Sequence, residues 1–145
     1  TRLCSEPGVD KIWMNRPMMD TPYDLRKEAT VPMQMKGREV FRFAVQACTT
    51  GVKSLLDEVG IRKEDVSWFM VHQANKRIID SIIDYMNVPA ERCPVNIHDH
   101  GNSSSASCPI LLDECNRKGM FKKGDIIVFS AFGAGLLSGA AVIEW

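Results

Sequence analysis

Short apolar runs alternate with segments of helical period along most of this chain, and that alternation confines it to a layered α/β fold. Trp68-Phe69-Met70-Val71, Ile126-Ile127-Val128-Phe129 and Ala140-Ala141-Val142-Ile143 have no polar face, so each reads as a strand covered on both sides. Val95-Asn96-Ile97 reads as a further, shorter strand. Between them, Phe41, Ala44, Val45, Cys48, Val52, Leu55, Leu56 and Val59 recur at helical spacing, which predicts a helix of about six turns stopped by Gly60. Gly51 inside it costs about 1 kcal/mol against alanine. Ile78, Ile79, Ile82, Ile83 and Met86 mark a second helix. Ser103 to Arg117 marks a third, which Pro109 either kinks or starts late. The last two strands must be antiparallel, because their glycine-rich loop is too short for a crossover.

The start of the chain is less regular. Thr1–Ser5 and Lys11–Met14 read as strands with a turn at Glu6-Pro7-Gly8, and Pro17, Pro22 and Pro32 break up the run from Asn15 to Pro32. At 145 residues the chain is expected to be one domain with one core. Its 18 Lys+Arg against 18 Asp+Glu leave no basic field for a nucleic acid. The apolar stretch Ile126–Ile143 is interrupted by Ser130, Gly133, Gly135, Ser138 and Gly139, which fits strands and not a membrane span. Thr1-Arg2-Leu3-Cys4 runs into polar sequence, so no secretory leader is expected. Five cysteines without paired spacing read as reduced thiols of a cytoplasmic protein. A first residue that is Thr, not Met, reads as a fragment.

In an open α/β sheet ligands gather outside the carboxyl ends of the strands. Three loops fall there: His72-Gln73-Ala74-Asn75, His98-Asp99-His100-Gly101-Asn102-Ser103-Ser104, and Ala131-Phe132-Gly133-Ala134-Gly135. Each has a plain structural reading as well. His72 can be a satisfied strand-end residue, Asn102 can cap the helix after it, and the glycines can serve a tight turn. His98 and His100, sharing a strand face, can join Cys108 or His72 around a metal, but no set of zinc-ligand spacing appears and none is expected.

Taken together, His72-Gln73-Ala74-Asn75, His100-Gly101-Asn102-Ser103-Ser104, Phe132-Gly133-Ala134-Gly135 and the segment Met35-Lys36-Gly37-Arg38-Glu39-Val40-Phe41 resemble the C-terminal half of β-ketoacyl-acyl carrier protein synthase III, a thiolase-fold condensing enzyme. The resemblance implies one half of a five-layer sandwich. Its five-stranded mixed sheet has order 3-2-1-4-5, with Thr1–Ser5 in the middle and Leu137–Glu144 at one edge. It implies an acyltransferase of fatty-acid initiation, with acyl-CoA and malonyl-acyl carrier protein as substrates and no cofactor. His72 and Asn102 would be the donors that stabilise the enolate, His72 neutral with its proton on Nε2. The backbone N–H of Ala134, where glycine is commoner, would complete an oxyanion hole. Phe132 would floor the acyl pocket; Phe41, Ala74 and Asn75 would line the pantetheine tunnel; Arg77, Lys76 and Arg42 would face the acyl carrier protein. Asp84 and Tyr85 stand where a lysine pair often extends that patch. The nucleophilic cysteine belongs to the other half of the family's fold, so this chain alone is expected to be inactive, its parent a homodimer. Two other readings share the motifs: an enzyme of specialised ketide metabolism and a non-catalytic partner subunit.

Overall fold

The computed structural model describes residues 1–5, 8, 10–13 and 33–145. The expected turn at Glu6-Pro7, the end of the second strand at Met14 and the proline-rich run lie outside them. In chain order the described elements begin with β1 (Arg2–Ser5), β2 (Ile12–Trp13), β3 (Gln34–Met35) and α1 (Gly37–Val59). Then come β4 (Trp68–Val71), α2 (Lys76–Met86), the single turn α3 (Ile97–His100) and α4 (Ser107–Arg117). β5 (Ile126–Gly133) and β6 (Leu137–Glu144) close the chain.

The main sheet runs β1-β6-β5-β4, with β4 parallel to β5 and the other pairs antiparallel. The closing β5–β6 hairpin is the antiparallel pair the short loop requires, and it accounts for the apolar stretch without a membrane. Among the described residues no helix is long and apolar enough to cross one. β2 and β3 form a separate small ribbon, of which the second strand carries no sequence signal.

Helix α1 follows its apolar stripe: Val40, Phe43, Ala44, Cys48, Val52, Leu55 and Leu56 are buried. Gly60 ends it in the left-handed conformation, its N–H returning to the Asp57 carbonyl and that of Ile61 to Leu56. All four isoleucines of α2 are buried beside it. Together the two helices cover one face of the sheet, packing on Phe69, Val71, Val128 and Ala140. Against the other face α4 sets Leu111 and Cys115 on Met70 and Ile127. This second layer covers less of the sheet, and Leu3, Leu137 and Ile143 stay exposed.

Three expectations need correction. Arg2–Ser5 lies at the sheet edge against Leu137–Glu144 and not in the middle, so β6 is an inner strand. Val95-Asn96-Ile97 forms no strand. Pro94 removes a ladder donor, and the Asn96 N–H goes to the side-chain oxygen of Gln73, after which the chain turns into α3. Of the two options Pro109 leaves for the third long helix the late start is the one found, so its first residue is Ser107 and not Ser103, preceded by a 3₁₀ turn over Ser104–Ala106. Pro109 thus falls in the first turn of α4, where its missing N–H has no partner to lose.

Candidate active site

The parallel ladder positions the first candidate, His72. Beyond the last residue of β4, the His72 N–H still bonds the Ser130 carbonyl of β5 at 2.8 Å, which fixes where the side chain departs. The imidazole is almost enclosed, with the residue 9% exposed. Its Nδ1 lies 2.5 Å from Ser107 Oγ at the start of α4. Phe132 of β5 meets the ring edge-on, with centroids 5.4 Å apart and planes inclined by 69°. Burial lowers the His72 pKa below its ordinary 6.5, so the ring is neutral at pH 7.

The neighbouring residues of this corner anchor it. Gln73 is 1% exposed and fully committed: its Nε2 donates to the Val71 carbonyl at 2.8 Å, and its Oε1 accepts from the Asn96 N–H at 3.1 Å. Its own backbone N–H donates to Ser107 Oγ at 3.2 Å. Asn75 caps α2, its Oδ1 accepting from the Arg77 N–H at 2.9 Å; such a cap is worth about 1 kcal/mol.

The second candidate, Asn102, stands on a different kind of support. Asn102 is exposed, in the loop that follows α3. Glu114 of α4 holds that loop by accepting from Asn96 Nδ2 at 3.0 Å and by pairing with His100. The bonds from His100 and Asn96 keep its carboxyl below the usual carboxylate range. Gly101 then reverses the chain at φ 63° and ψ −160°, a combination open essentially to glycine alone. Asn102 Oδ1 accepts from the Ser104 N–H at 3.0 Å, and Ser104 is itself left-handed at φ 55°. That bond is an Asx turn and not a helix cap: the 3₁₀ turn starts from Ser103 and α4 from Ala106, and neither has a side-chain cap. The Asn102 NH₂ makes no hydrogen bond among the described residues.

His72 and Asn102 both line a single cleft of about 1780 Å³. That exceeds the roughly 300–1,000 Å³ of a closed small-molecule pocket and describes an open trough. Phe41, Ala74, Asn75 and Phe132 line it, and Arg42 and Arg77 stand along it. Lys76 does not; it pairs with Asp80 on the outer side of α2. Ala134 lies exposed on the cleft wall, in the turn between β5 and β6. It keeps a negative φ, so its Cβ is no obstacle, while Gly135 takes the φ of 141° that the turn demands.

His98 and His100 lie on a helical turn and not on a strand face; His98 sits 3.3 Å from Asp99, and His100 goes to Glu114. Among the described residues no group of three or more His, Cys, Asp or Glu is arranged to hold a metal ion. Burial raises the thiol pKa of Cys48 to about 11 and of Cys93 to about 12, and it raises those of Cys108 and Cys115. None of these four is poised as a thiolate.

Gln73 and Ser107 are the site residues that the sequence reading leaves without a role. Gln73 is inside a quoted motif. Ser107 has one usable signal, a serine two positions before a proline, which marks a helix's first turn.

Residues 56–145 match the family described as "3-Oxoacyl-[acyl-carrier-protein (ACP)] synthase III C terminal". The chain is 42% identical over 114 residues to a beta-ketoacyl-[acyl-carrier-protein] synthase III of Trichodesmium erythraeum, covering 79% of the chain and 35% of that protein. It is 39% identical over 142 residues to the chloroplastic synthase III B of Cuphea wrightii, covering 97% of the chain and 35% of that protein. The chain thus spans about a third of the length of these relatives. The crystal structure of a 3-oxoacyl-[acyl-carrier-protein] synthase III from Aquifex aeolicus superposes with a TM-score of 0.85 at 33% identity. That match covers 99% of this chain and 43% of the other.

Proposed function

Because the chain belongs to the 3-oxoacyl-[acyl-carrier-protein] synthase III C-terminal family and has its thiolase-like fold, we propose that it supplies the decarboxylation half of a condensing active site. The reading rests on one observation: His72 and Asn102, brought from two different loops, share one cleft. His72 is neutral there, and Asn102 has its carboxamide oxygen already engaged.

The chemistry that fits is a decarboxylative Claisen condensation. A malonyl thioester loses CO₂, and the electron pair of the broken C–C bond moves onto the thioester oxygen. Two fixed N–H donors aimed at that oxygen stabilise the charge as it develops, without reorganising solvent. The enolate carbon then attacks an acyl-thioester, whose sulfur leaves as a thiolate. The cysteine that carries the acyl group lies outside this chain; the raised pKa values of Cys48, Cys93, Cys108 and Cys115 support that assignment. The Ala134 N–H serves the acyl-transfer step as an oxyanion donor. Phe41, Ala74, Asn75 and Phe132 receive the pantetheine arm and acyl chain. Arg42 and Arg77 meet the acidic carrier protein, and Lys76 joins them by giving up Asp80.

In the full-length protein, His72→Ala or Asn102→Ala lowers malonyl decarboxylation by about 10²–10³-fold, the roughly 2.7–4 kcal/mol that one such donor is worth. Acyl transfer to the nucleophile continues. Equal loss of both steps contradicts the proposal.

A further inference from the structure

The decarboxylation reading needs an N–H on the side of the imidazole that faces the cleft, and a neutral histidine carries only one. Which nitrogen holds it is set by the partner of the other. Here that partner is Ser107, 35 positions away in sequence and 2% exposed.

We infer that Ser107 is the positioning residue that locks His72 in the tautomer with its proton on Nε2. A serine hydroxyl has one proton to give and two lone pairs to receive with. The Gln73 N–H, at 3.2 Å, already fills one lone pair of Ser107 Oγ. If His72 Nδ1 also carried a proton, Oγ would accept twice and its own proton would need a further acceptor. Among the described residues the hydroxyl's hydrogen bonds run to His72 Nδ1 and the Gln73 N–H, and its one other neighbour of this kind is the Cys108 thiol, a weak acceptor. A buried hydroxyl proton left unpaired is costly, so the stable arrangement has Oγ–H donating to a bare Nδ1. The proton then belongs to Nε2, the ring's remaining polar atom. Phe132, packed edge-on against the imidazole, holds the ring in that register. Gln73 completes the device from the backbone, because the same peptide segment that presents His72 also orients the hydroxyl that fixes it.

This deepens the proposed function and rests on it only for its consequence, since the tautomer is measured without substrate. Nitrogen-15 NMR of the histidine rings in the full chain, above the His72 titration, reads both ring nitrogens directly. The expected spectrum has a bare, pyridine-like Nδ1 and a protonated, pyrrole-like Nε2 for His72, with free histidine as the averaged reference. Ser107→Ala moves both His72 signals toward the averaged position, and Ser107→Thr, which keeps the hydroxyl, restores them. A wild-type His72 with its proton on Nδ1, or with averaged signals, overturns the inference even if the alanine variant fails to fold. So does a folded Ser107→Ala with unmoved signals. In the full-length protein Ser107→Ala is expected to lower kcat for decarboxylation about tenfold, or roughly 1.4 kcal/mol, with KM unchanged and recovery in Ser107→Thr. A displaced tautomer with unchanged kcat would uphold the role of Ser107 and count against the decarboxylation reading instead.

Discussion

The corner after β4 and the loop after α3 each bring one candidate donor to the same cleft, but they hold it by different means. His72 stands on a continued strand ladder, is nearly enclosed, and is gripped by Ser107 and Phe132. Asn102 is exposed and depends on two residues in left-handed or glycine-only conformations, steadied by an acid on a neighbouring helix. The first donor is fixed by the same burial that builds the core. The second is fixed by backbone geometry, which a smaller disturbance can undo. Gln73 joins the two, since one carboxamide ties the β4 strand end to the start of α3.

That joint is where the comparison breaks most completely. Gln73→Leu leaves the Val71 carbonyl and the Asn96 N–H without partners in the interior, at about 1–3 kcal/mol each. Chemical denaturation of the chain should show a loss of that size, and hydrogen exchange should rise in both segments. Protection lost in only one of them would mean that the regions are not coupled. Gly101→Ala should act on the loop alone. It forces a Cβ into a conformation costing about 1–3 kcal/mol, and the resulting shift of Asn102 should lower decarboxylation in the full-length protein by about 10²-fold. The His72 ring signals should not move; a change in them would show that the corner is less independent than its burial indicates.

The smallest effect is a pH dependence. With its pKa depressed by burial, His72 takes up a proton more readily in the unfolded chain than in the folded one. Its contribution to stability is complete above about pH 6.5 and is lost as the pH falls toward the folded value. Urea midpoints between pH 7 and 5.5 should therefore fall less in His72→Gln than in the unaltered chain. Identical slopes would contradict the desolvated setting of the ring.

The same contrast separates what was legible in the sequence from what was not. The stripes of α1 and α2 and the closing hairpin are periodic, so their residues announce them. Strand ends in an open sheet collect functional loops, which points to His72 after β4 and Ala134 after β5. Asn102, by contrast, reaches the same cleft from a loop that follows α3 and not a strand. Side-chain substitutes for backbone bonds leave no such pattern. Val95-Asn96-Ile97 resembles a strand because nothing local shows that Gln73 will take the Asn96 N–H. Ser107 meets His72 only because α4 starts late enough to aim its first residue at the imidazole. Arg2–Ser5, four exposed residues, is short enough to pair at an edge or in the middle, and only the register against β6 decides.

The central claim is that an enclosed imidazole and an exposed carboxamide act on a single oxygen. A double-mutant cycle on decarboxylation in the full-length protein, using His72→Ala, Asn102→Ala and the pair, tests it most directly. Donors that share one developing charge should be strongly coupled, so the double variant should be little slower than the worse single one. Losses that simply multiply would show two independent contributions and contradict the account.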